Sequence, residues 1–258
     1  MKYTDFKHKN VLVVGGTNGM GLRLVEVLVG LEANVIVIGR NIDKPELRHL
    51  REKCCFFKCN ISNENEVIDT FKKIEESFGT LHFAVNNSGV TAPYSEISNL
   101  DISKWKDIID INLTGIAHCL KYEIRLISKN KNGAIVNISS CASLQALKMQ
   151  AAYSVSKAAV NMLTQVAAIE CAEDTVHSHA IRINAIAPGP ILGGMNTEEN
   201  LRKNPEMTAR KVSITAMKKF GTAENVVDGV LWLLSRHAAY TTGIILPIDG
   251  GFNAGKFN

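Results

Sequence analysis

A tyrosine and a lysine four residues apart are the first residues of this sequence that could carry chemistry. In the stretch AAYSVSKAAV, Tyr153 and Lys157 stand among small residues, and on a helix they lie on one face, one turn apart. A free phenol has a pKa of about 10, and a nearby ammonium lowers that pKa by stabilising the phenolate. The pair could then act as a general acid or base near neutral pH. On periodicity alone, a lysine that snorkels over a packed tyrosine is the alternative.

A glycine-rich turn, GGTNGMGL, is the second such feature. Gly15 permits a tight turn off the preceding strand, Gly19 allows the backbone to approach a pyrophosphate, and Gly21 allows close packing of helix and strand. A helix that begins here presents free N–H groups and the positive end of its dipole to phosphates. Because the turn follows the first strand of a βαβ pattern, we favour a dinucleotide site over a plain strand–helix turn.

The end of the second predicted strand, VIGRN, indicates which nucleotide binds. An acidic residue there hydrogen-bonds the ribose 2′-OH of NAD, whereas an arginine accommodates the 2′-phosphate of NADP. Gly39 occupies the acidic position and Arg40 follows it. We therefore expect NADP(H) in preference to NAD(H), the alternative being that Arg40 is a solvated surface residue.

The elements that must position these residues are short β-rich runs that alternate with longer helical stretches. The runs are rich in Val and Ile and rarely alternate with polar residues, as strands covered on both faces should be. Strand, helix, strand, repeated, predicts a parallel sheet with helices on both sides. We therefore predict a single α/β domain over residues 1–258, a Rossmann-like, doubly wound parallel sheet of about seven strands. The predicted strands are 11–15, 34–39, 54–59, 82–87, 134–140, 181–187 and 243–249.

One segment departs from this alternation. From about residue 190 to residue 215 the strand pattern stops, and polar, glycine-containing sequence takes over. A loop of this length inside a compact domain is usually functional. We expect the segment to be a substrate loop that closes as a lid.

Composition narrows the class of protein. The 258 residues are 46% hydrophobic, carry a formal net charge of +4 and contain no basic run long enough for a nucleic-acid patch. No apolar run approaches the roughly 18 residues of a membrane helix, and the polar N-terminus has no signal-peptide core. Cys54, Cys55 and Cys59 cluster, but no Cys or His pair follows at zinc-ligand spacing, so we predict inert thiols and no metal. The expected location is the cytoplasm.

Further motifs, taken with these, resemble those of a known family. Beside Tyr-x3-Lys and the glycine-rich turn, the chain resembles the short-chain dehydrogenase/reductase family over nearly its whole length. The additional motifs, in the family's order, are NNSG (86–89), INLTG (111–115), IVNISS (135–140), RINAIAPGPI (182–191) and DGG (249–251).

The resemblance implies a role for each of four residues. Tyr153 would be the acid/base, and Lys157 would lower its pKa and hold the nicotinamide ribose. Asn112 would help to organise a water chain to the lysine, the alternative being a helix-bend asparagine that bonds to backbone. Ser140 would hydrogen-bond the substrate oxygen, since the family's spacing to the tyrosine favours it over Ser139, which would point away.

The resemblance also implies the contacts of the nucleotide. Asn87 and Gly89 would line the adenosine ribose, and Asn60 replaces the aspartate that commonly faces the adenine. Gly193 stands where the family often has a threonine that holds the carboxamide, which predicts a more mobile loop. The predicted cofactor-binding residues are Gly15, Thr17, Asn18, Gly19, Met20, Gly21, Arg40, Asn60, Ile61, Asn87, Gly89, Tyr153, Lys157, Pro188, Gly189 and Ile191.

The function that the resemblance implies is that of an oxidoreductase. It would transfer a hydride between NADP(H) and a small carbonyl or secondary alcohol substrate, and the family's usual assembly predicts a homotetramer. One alternative is an NAD-dependent diol or steroid-type dehydrogenase of the same family. Another is a nucleotide-binding protein that has lost the chemistry, although such a protein would not need all four catalytic positions.

Overall fold

Seven strands form one parallel sheet in the part of the chain that the computed structural model describes, residues 3–91, 93–176 and 178–255. The sheet order is β3-β2-β1-β4-β5-β6-β7, which confirms the predicted doubly wound α/β fold. The strands are β1 Asn10–Val14, β2 Asn34–Gly39, β3 Cys54–Lys58, β4 Phe83–Asn86, β5 Gly133–Ile138, β6 Ile181–Pro188 and β7 Ile245–Ile248.

Helices cover both faces of the sheet. None of those in the described ranges is both long and apolar enough to cross a bilayer. The helices are α1 Gly19–Gly30, α2 Glu64–Phe78, α3 Ile102–Ile109, α4 Gly115–Ile127, α5 Ala151–Glu170, α6 Glu198–Lys203, α7 Pro205–Ser213 and α8 Ala223–Leu234.

The residues of β1 show how the two layers of the core arise. Val11 and Val13 belong to the core cluster that includes residues of α1 and α8. Leu12 and Val14 belong to the cluster that includes residues of α2, α4 and α5. Because successive strand residues point to opposite faces, a continuous apolar run supplies both layers. Full burial of each such side chain contributes about 1.5–3 kcal/mol relative to leaving it exposed.

The strand order places the functional motifs at one edge of the sheet. The chain winds outward from β1 through β2 to β3 and then returns to β4 on the other side of β1. At that reversal Val14 pairs with Asn86, so the glycine-rich turn after β1 and the NNSG motif at the end of β4 become neighbours. This is the topological switch point, where ligands bind in open α/β sheets.

The segment 190–215 is not the uninterrupted loop that we predicted. It contains α6 and α7. The Thr197 hydroxyl accepts a hydrogen bond from the Asn200 N–H at 3.2 Å, and Pro205 stands at the start of α7. Both helices are short and bury none of their residues, so these signals for a helix start had no apolar run beside them.

Candidate active site

Close backbone approach explains the glycines of the turn. A Cβ at Gly21 would lie 2.2 Å from the carbonyl oxygen of Gly15, which leaves no room for a side chain. Gly15 itself has φ 82° and faces Ser88, whose Oγ would be 2.7 Å from a Cβ placed there. Asn87 Nδ2 donates to the Gly15 carbonyl oxygen at 2.9 Å. Asn87 therefore holds the turn in shape in addition to its predicted place near the ribose.

The amino terminus of α1 fits a diphosphate. Asn18 precedes the helix in an extended conformation, and no side chain caps the first turn, which also lacks an acidic residue. By contrast, Asn63 accepts from two N–H groups at the start of α2, and Asp101 does so at the start of α3. The uncapped N–H groups of α1 and the dipole of the helix suit an anionic ligand. Met20 packs on the apolar core behind them.

Thr17 connects the glycine-rich turn to the end of β2. Its Cγ2 would lie 2.6 Å from a Cβ at Gly39, so the threonine methyl fills the space beside that glycine. Arg40 is exposed immediately afterwards. The side chain of Arg40 forms no ion pair with a carboxylate of the described residues.

Asn60 and Ile61 lie after β3, on the predicted adenine side. The Asn60 Oδ1 already accepts from the Ser62 hydroxyl at 2.9 Å, so an adenine amino group would have to share this oxygen. Ile61 is buried, and its Cγ1 would be 2.7 Å from a Cβ at Gly115. Close packing on Gly115 thus fixes this wall of the site.

Lys157 is buried on α5, and its ammonium is anchored to the sheet. Nζ donates to the Ile138 carbonyl oxygen at 2.8 Å. Burial lowers the pKa of Lys157 to about 8, because an ammonium without a charged partner loses its hydration. A Cβ at Gly89 would be 3.1 Å from this Nζ and 3.4 Å from Asn112 Oδ1, so Gly89 leaves open the space that both side chains border.

Asn112 sits in a π-helical turn, Asp110–Thr114, between α3 and α4. Its Oδ1 accepts from the Val90 N–H at 2.7 Å, and its Nδ2 donates to the Val90 carbonyl oxygen at 2.9 Å and to Ser156 Oγ at 3.1 Å. Asn112 thus bonds to backbone, as the alternative interpretation holds. The backbone is that of Val90 in the loop after β4, not that of its own helix. Such π turns are frequent at functional sites.

Ser140 lies beside the Tyr153 phenol, and hydrogen bonding from its side chain to the phenolate acts to lower the pKa of Tyr153. Burial nevertheless raises the pKa of Tyr153, and the bond with Ser140 opposes this only in part. Desolvation therefore dominates the pKa of Tyr153, while Lys157 points its Nζ at the Ile138 carbonyl oxygen. The lowering of this pKa by the Lys157 ammonium stays a prediction.

Ser140 also starts a short 3-10 turn, so β5 ends at Ile138 rather than at residue 140 as predicted. Its Oγ accepts from the Ala142 N–H at 3.1 Å. The neighbouring Ser139 turns to α5 and donates to the Lys157 carbonyl oxygen at 3.1 Å. This bond, which the sequence did not reveal, connects the segment after β5 to α5, the helix that carries Tyr153.

The end of β6 forms the remaining wall. A Cβ at Gly189, which follows Pro188, would be 2.6 Å from the Asp249 Cα, so this glycine is required for close approach of the C-terminal turn. Ile191 is buried against Gly221. Farther along, Gly194 packs on the glycine-rich turn, with its Cα 3.1 Å from a Cβ placed on Gly19.

Lys44 is a residue of this site that sequence reasoning missed. Its Nζ lies 3.5 Å from the Thr17 carbonyl oxygen. The spacing of Lys44 from the end of β2 matches no motif. Its positive charge was the only signal in the sequence.

The cysteines show no sign of reactivity. All six are free, and burial raises the pKa of Cys54 and of Cys141 to about 11. A high thiol pKa disfavours the thiolate, which is both the nucleophile and the metal ligand. Among the described residues no group of His, Cys, Asp and Glu could hold a metal ion.

Comparison with known proteins agrees with this geometry. A family model described as Enoyl-(Acyl carrier protein) reductase matches residues 14–253. A 2,5-dichloro-2,5-cyclohexadiene-1,4-diol dehydrogenase of Sphingobium indicum is 31% identical, covering 97% of this chain and 99% of the relative. A 3beta-hydroxysteroid dehydrogenase of Mediterraneibacter gnavus is also 31% identical, covering 96% and 95%.

A solved structure of ElxO with NADP bound superimposes with a TM-score of 0.88 and 30% sequence identity, covering 96% of this chain and all of that one. The match therefore extends over the sheet, the glycine-rich turn and the helix that carries Tyr153. The chain belongs to the short-chain dehydrogenase/reductase family and is an oxidoreductase that acts on CH–OH groups.

Proposed function

We propose that this enzyme transfers a hydride between NADP(H), in preference to NAD(H), and a small secondary alcohol or its ketone. The observation that carries the nucleotide preference is the end of β2, where Gly39 offers no carboxylate to the ribose 2′-OH and Arg40 is exposed, with no ion pair to any residue that the structure describes. The structure of ElxO with NADP bound shows that a relative of this fold accepts NADP.

Each side chain of the site has its own role in the hydride and proton transfer. A bound nicotinamide supplies or accepts the hydride. Tyr153 gives its phenolic proton to the ketone oxygen in reduction and takes it from the alcohol in oxidation, and Ser140 donates a hydrogen bond to that oxygen. Lys157 holds the nicotinamide ribose and stabilises the phenolate when it forms. Asn112 holds the Val90 backbone beside the lysine.

The remaining predicted residues bind the nucleotide or form the walls of its site. The glycine-rich turn, Gly15 to Gly21, receives the diphosphate at the amino terminus of α1. Asn60, Ile61, Asn87 and Gly89 border the adenosine and ribose, and Pro188, Gly189 and Ile191 border the nicotinamide. Segment 190–215 of the single domain is the substrate loop.

An NAD-dependent diol or steroid-type dehydrogenase is the second candidate. The names of the Sphingobium and Mediterraneibacter relatives favour it for the substrate, because both act on alcohols of carbocyclic compounds. Those names do not state which nucleotide either relative uses.

The first test is catalytic efficiency with both nucleotides at low ionic strength, followed as absorbance at 340 nm with a panel of cyclic ketones and alcohols. We expect kcat/KM to favour NADPH by roughly tenfold or more, because a hydrogen bond to a charged group contributes about 1.5–3 kcal/mol. Equal or better efficiency with NADH would favour the second candidate.

The structure also indicates which substitutions are needed to reverse the preference for NADP(H). An aspartate at position 39 would collide with the methyl group of Thr17. We therefore combine Gly39→Asp and Arg40→Ala with Thr17→Ser, which removes Cγ2 and keeps the hydroxyl. This triple variant should prefer NADH, since the new carboxylate repels a 2′-phosphate.

We also propose a homotetramer in the cytoplasm. Four apolar side chains are exposed along α5, at spacings of seven, four and three residues that place them on one side of the helix: Val155, Met162, Val166 and Ile169. The six free thiols suit a reducing compartment. Sedimentation velocity should give four chains for the wild type and fewer for Met162→Glu.

A further inference from the structure

Lys44 lies beside the predicted adenosine end of the site, in the β2 loop, residues 40–45. Its Nζ is 3.5 Å from the Thr17 carbonyl oxygen. The Thr17 side chain in turn contacts the space beside Gly39, the last residue of β2, and Arg40 follows directly. Lys44 therefore contacts the glycine-rich turn close to the carboxyl end of β2, which Arg40 follows directly.

The β2 loop is held in shape by its own bonds. Asn41 Oδ1 accepts from the Asp43 N–H at 3.2 Å, and Arg51 donates to both the Ile42 carbonyl oxygen and the Asp43 carboxylate. The acid next to Lys44 in sequence is thus paired with Arg51 at 2.9 Å. Within the described ranges Lys44 forms no ion pair, so its ammonium can serve an anion.

We propose that Lys44 is a second phosphate-binding cation, which together with Arg40 selects a nucleotide that carries a 2′-phosphate. This inference rests on the proposed preference for NADP(H). A phosphate dianion gains from each nearby cation, and charge-assisted hydrogen bonds are about twice as strong as neutral ones. Lys44 is half-buried whereas Arg40 is exposed, so salt screens the contribution of Lys44 less.

The test is calorimetric binding of 2′,5′-ADP and of 5′-AMP to the full-length protein, which isolates the 2′-phosphate without turnover. Lys44→Ala should weaken binding of 2′,5′-ADP by roughly five- to tenfold and change binding of 5′-AMP by less than about twofold. Lys44→Arg should retain wild-type affinity for 2′,5′-ADP. The matched control is Lys73→Ala, an exposed lysine on α2, which removes the same charge without effect on either ligand.

Three results would overturn the proposal. Equal losses for both ligands in Lys44→Ala would mean that the lysine only supports the turn through the Thr17 carbonyl. A wild-type preference for 2′,5′-ADP that survives Lys44→Ala would refute the role of Lys44 and leave the NADP(H) preference standing. A wild-type protein that binds both ligands equally would refute the nucleotide preference itself, and the role of Lys44 with it.

Discussion

At the scale of the residue, burial acts on the Tyr153 phenol and the Lys157 ammonium of α5 and favours the neutral form of each. It raises the pKa of the Tyr153 phenol and lowers that of the Lys157 ammonium to about 8. As the pH rises, Lys157 therefore loses its proton before Tyr153 does, which reverses the order of their usual pKa values of 10.5 and 10.0. The Ser140 side chain offsets part of the rise in the tyrosine pKa.

Replacing Tyr153 by phenylalanine should abolish turnover and leave nucleotide binding intact. The change removes only the hydroxyl that exchanges the proton, and a general acid or base contributes roughly 10²–10⁴ in rate. We would measure kcat and the nucleotide Kd together, with the fully exposed Tyr240→Phe as the control. A variant that kept a third or more of the wild-type kcat would remove Tyr153 from its catalytic role.

The lysine should give the nucleotide affinity a dependence on pH. Because its pKa is about 8, Lys157 is increasingly neutral above that pH and then attracts the bound nucleotide less. The wild-type Kd should therefore rise severalfold between pH 7 and pH 9.5. Lys157→Arg keeps its charge over this range and should bind with a Kd that stays nearly constant. If the nucleotide Kd changed with pH in the same way in the wild type and in Lys157→Arg, the role of Lys157 in nucleotide binding would be contradicted.

At the scale of the element, segment 190–215, the proposed substrate loop, contacts the glycine-rich turn through a narrow turn of its own. Gly193 and Asn196 exchange two backbone hydrogen bonds at 3.0 and 2.9 Å, and Gly193 and Gly194 have φ of 83° and 53°. Asn196 Oδ1 accepts from Lys211 on α7 at 2.7 Å, so this bond connects the turn to the helix. Gly194 packs on Gly19, where the diphosphate is expected.

We therefore expect nucleotide binding to order the segment 190–215. Hydrogen exchange with and without NADPH should show amide protection that rises in this segment, because its exposed side chains and glycine hinges permit opening. The strands β1 and β5 serve as internal controls, since their buried amides should be protected in both states. Strong and equal protection of 190–215 in both states would contradict a closing lid.

At the scale of the whole molecule, Glu123 couples stability to pH. This carboxyl of α4 is fully buried, and its Oε2 accepts from Asn86 Nδ2 at 2.8 Å. Burial raises its pKa to about 8 from the usual 4.5. The folded protein holds this proton at pH values where the unfolded chain has released it. The contribution of this proton to the free energy of unfolding is therefore fully present below about pH 4.5. It is lost progressively as the pH rises to about 8.

Glu123→Gln should remove this loss, because the amide oxygen still accepts from Asn86 and the side chain cannot ionise. The difference in Tm between variant and wild type should grow from pH 5 to pH 8 and then level off. Glu76→Gln, at an exposed position of α2, is the matched control and should give a constant difference. A Glu123→Gln difference that does not change with pH would show that the carboxyl is ionised in the fold.

The order of the elements and the motif residues could be predicted from the sequence, because both depend on local pattern. The continuous apolar runs of β1, β2 and β5 predicted buried parallel strands, and the glycine spacing predicted the turn after β1. The sequence also predicted that Tyr153 and Lys157 lie on one face of a helix, because residues four apart are one turn apart. Helices α6 and α7 were missed because they are short, mostly polar and bury none of their residues.

What only the tertiary structure decided are the contacts between residues distant in the chain and the degree of burial. Lys44 reaches Thr17, and Asn112 reaches Val90, across 27 and 22 positions of sequence. The direction of the Tyr153 pKa shift depends on desolvation, which no spacing encodes. Local pattern specifies which element a residue occupies, whereas packing determines which charges, dipoles and solvent surround it.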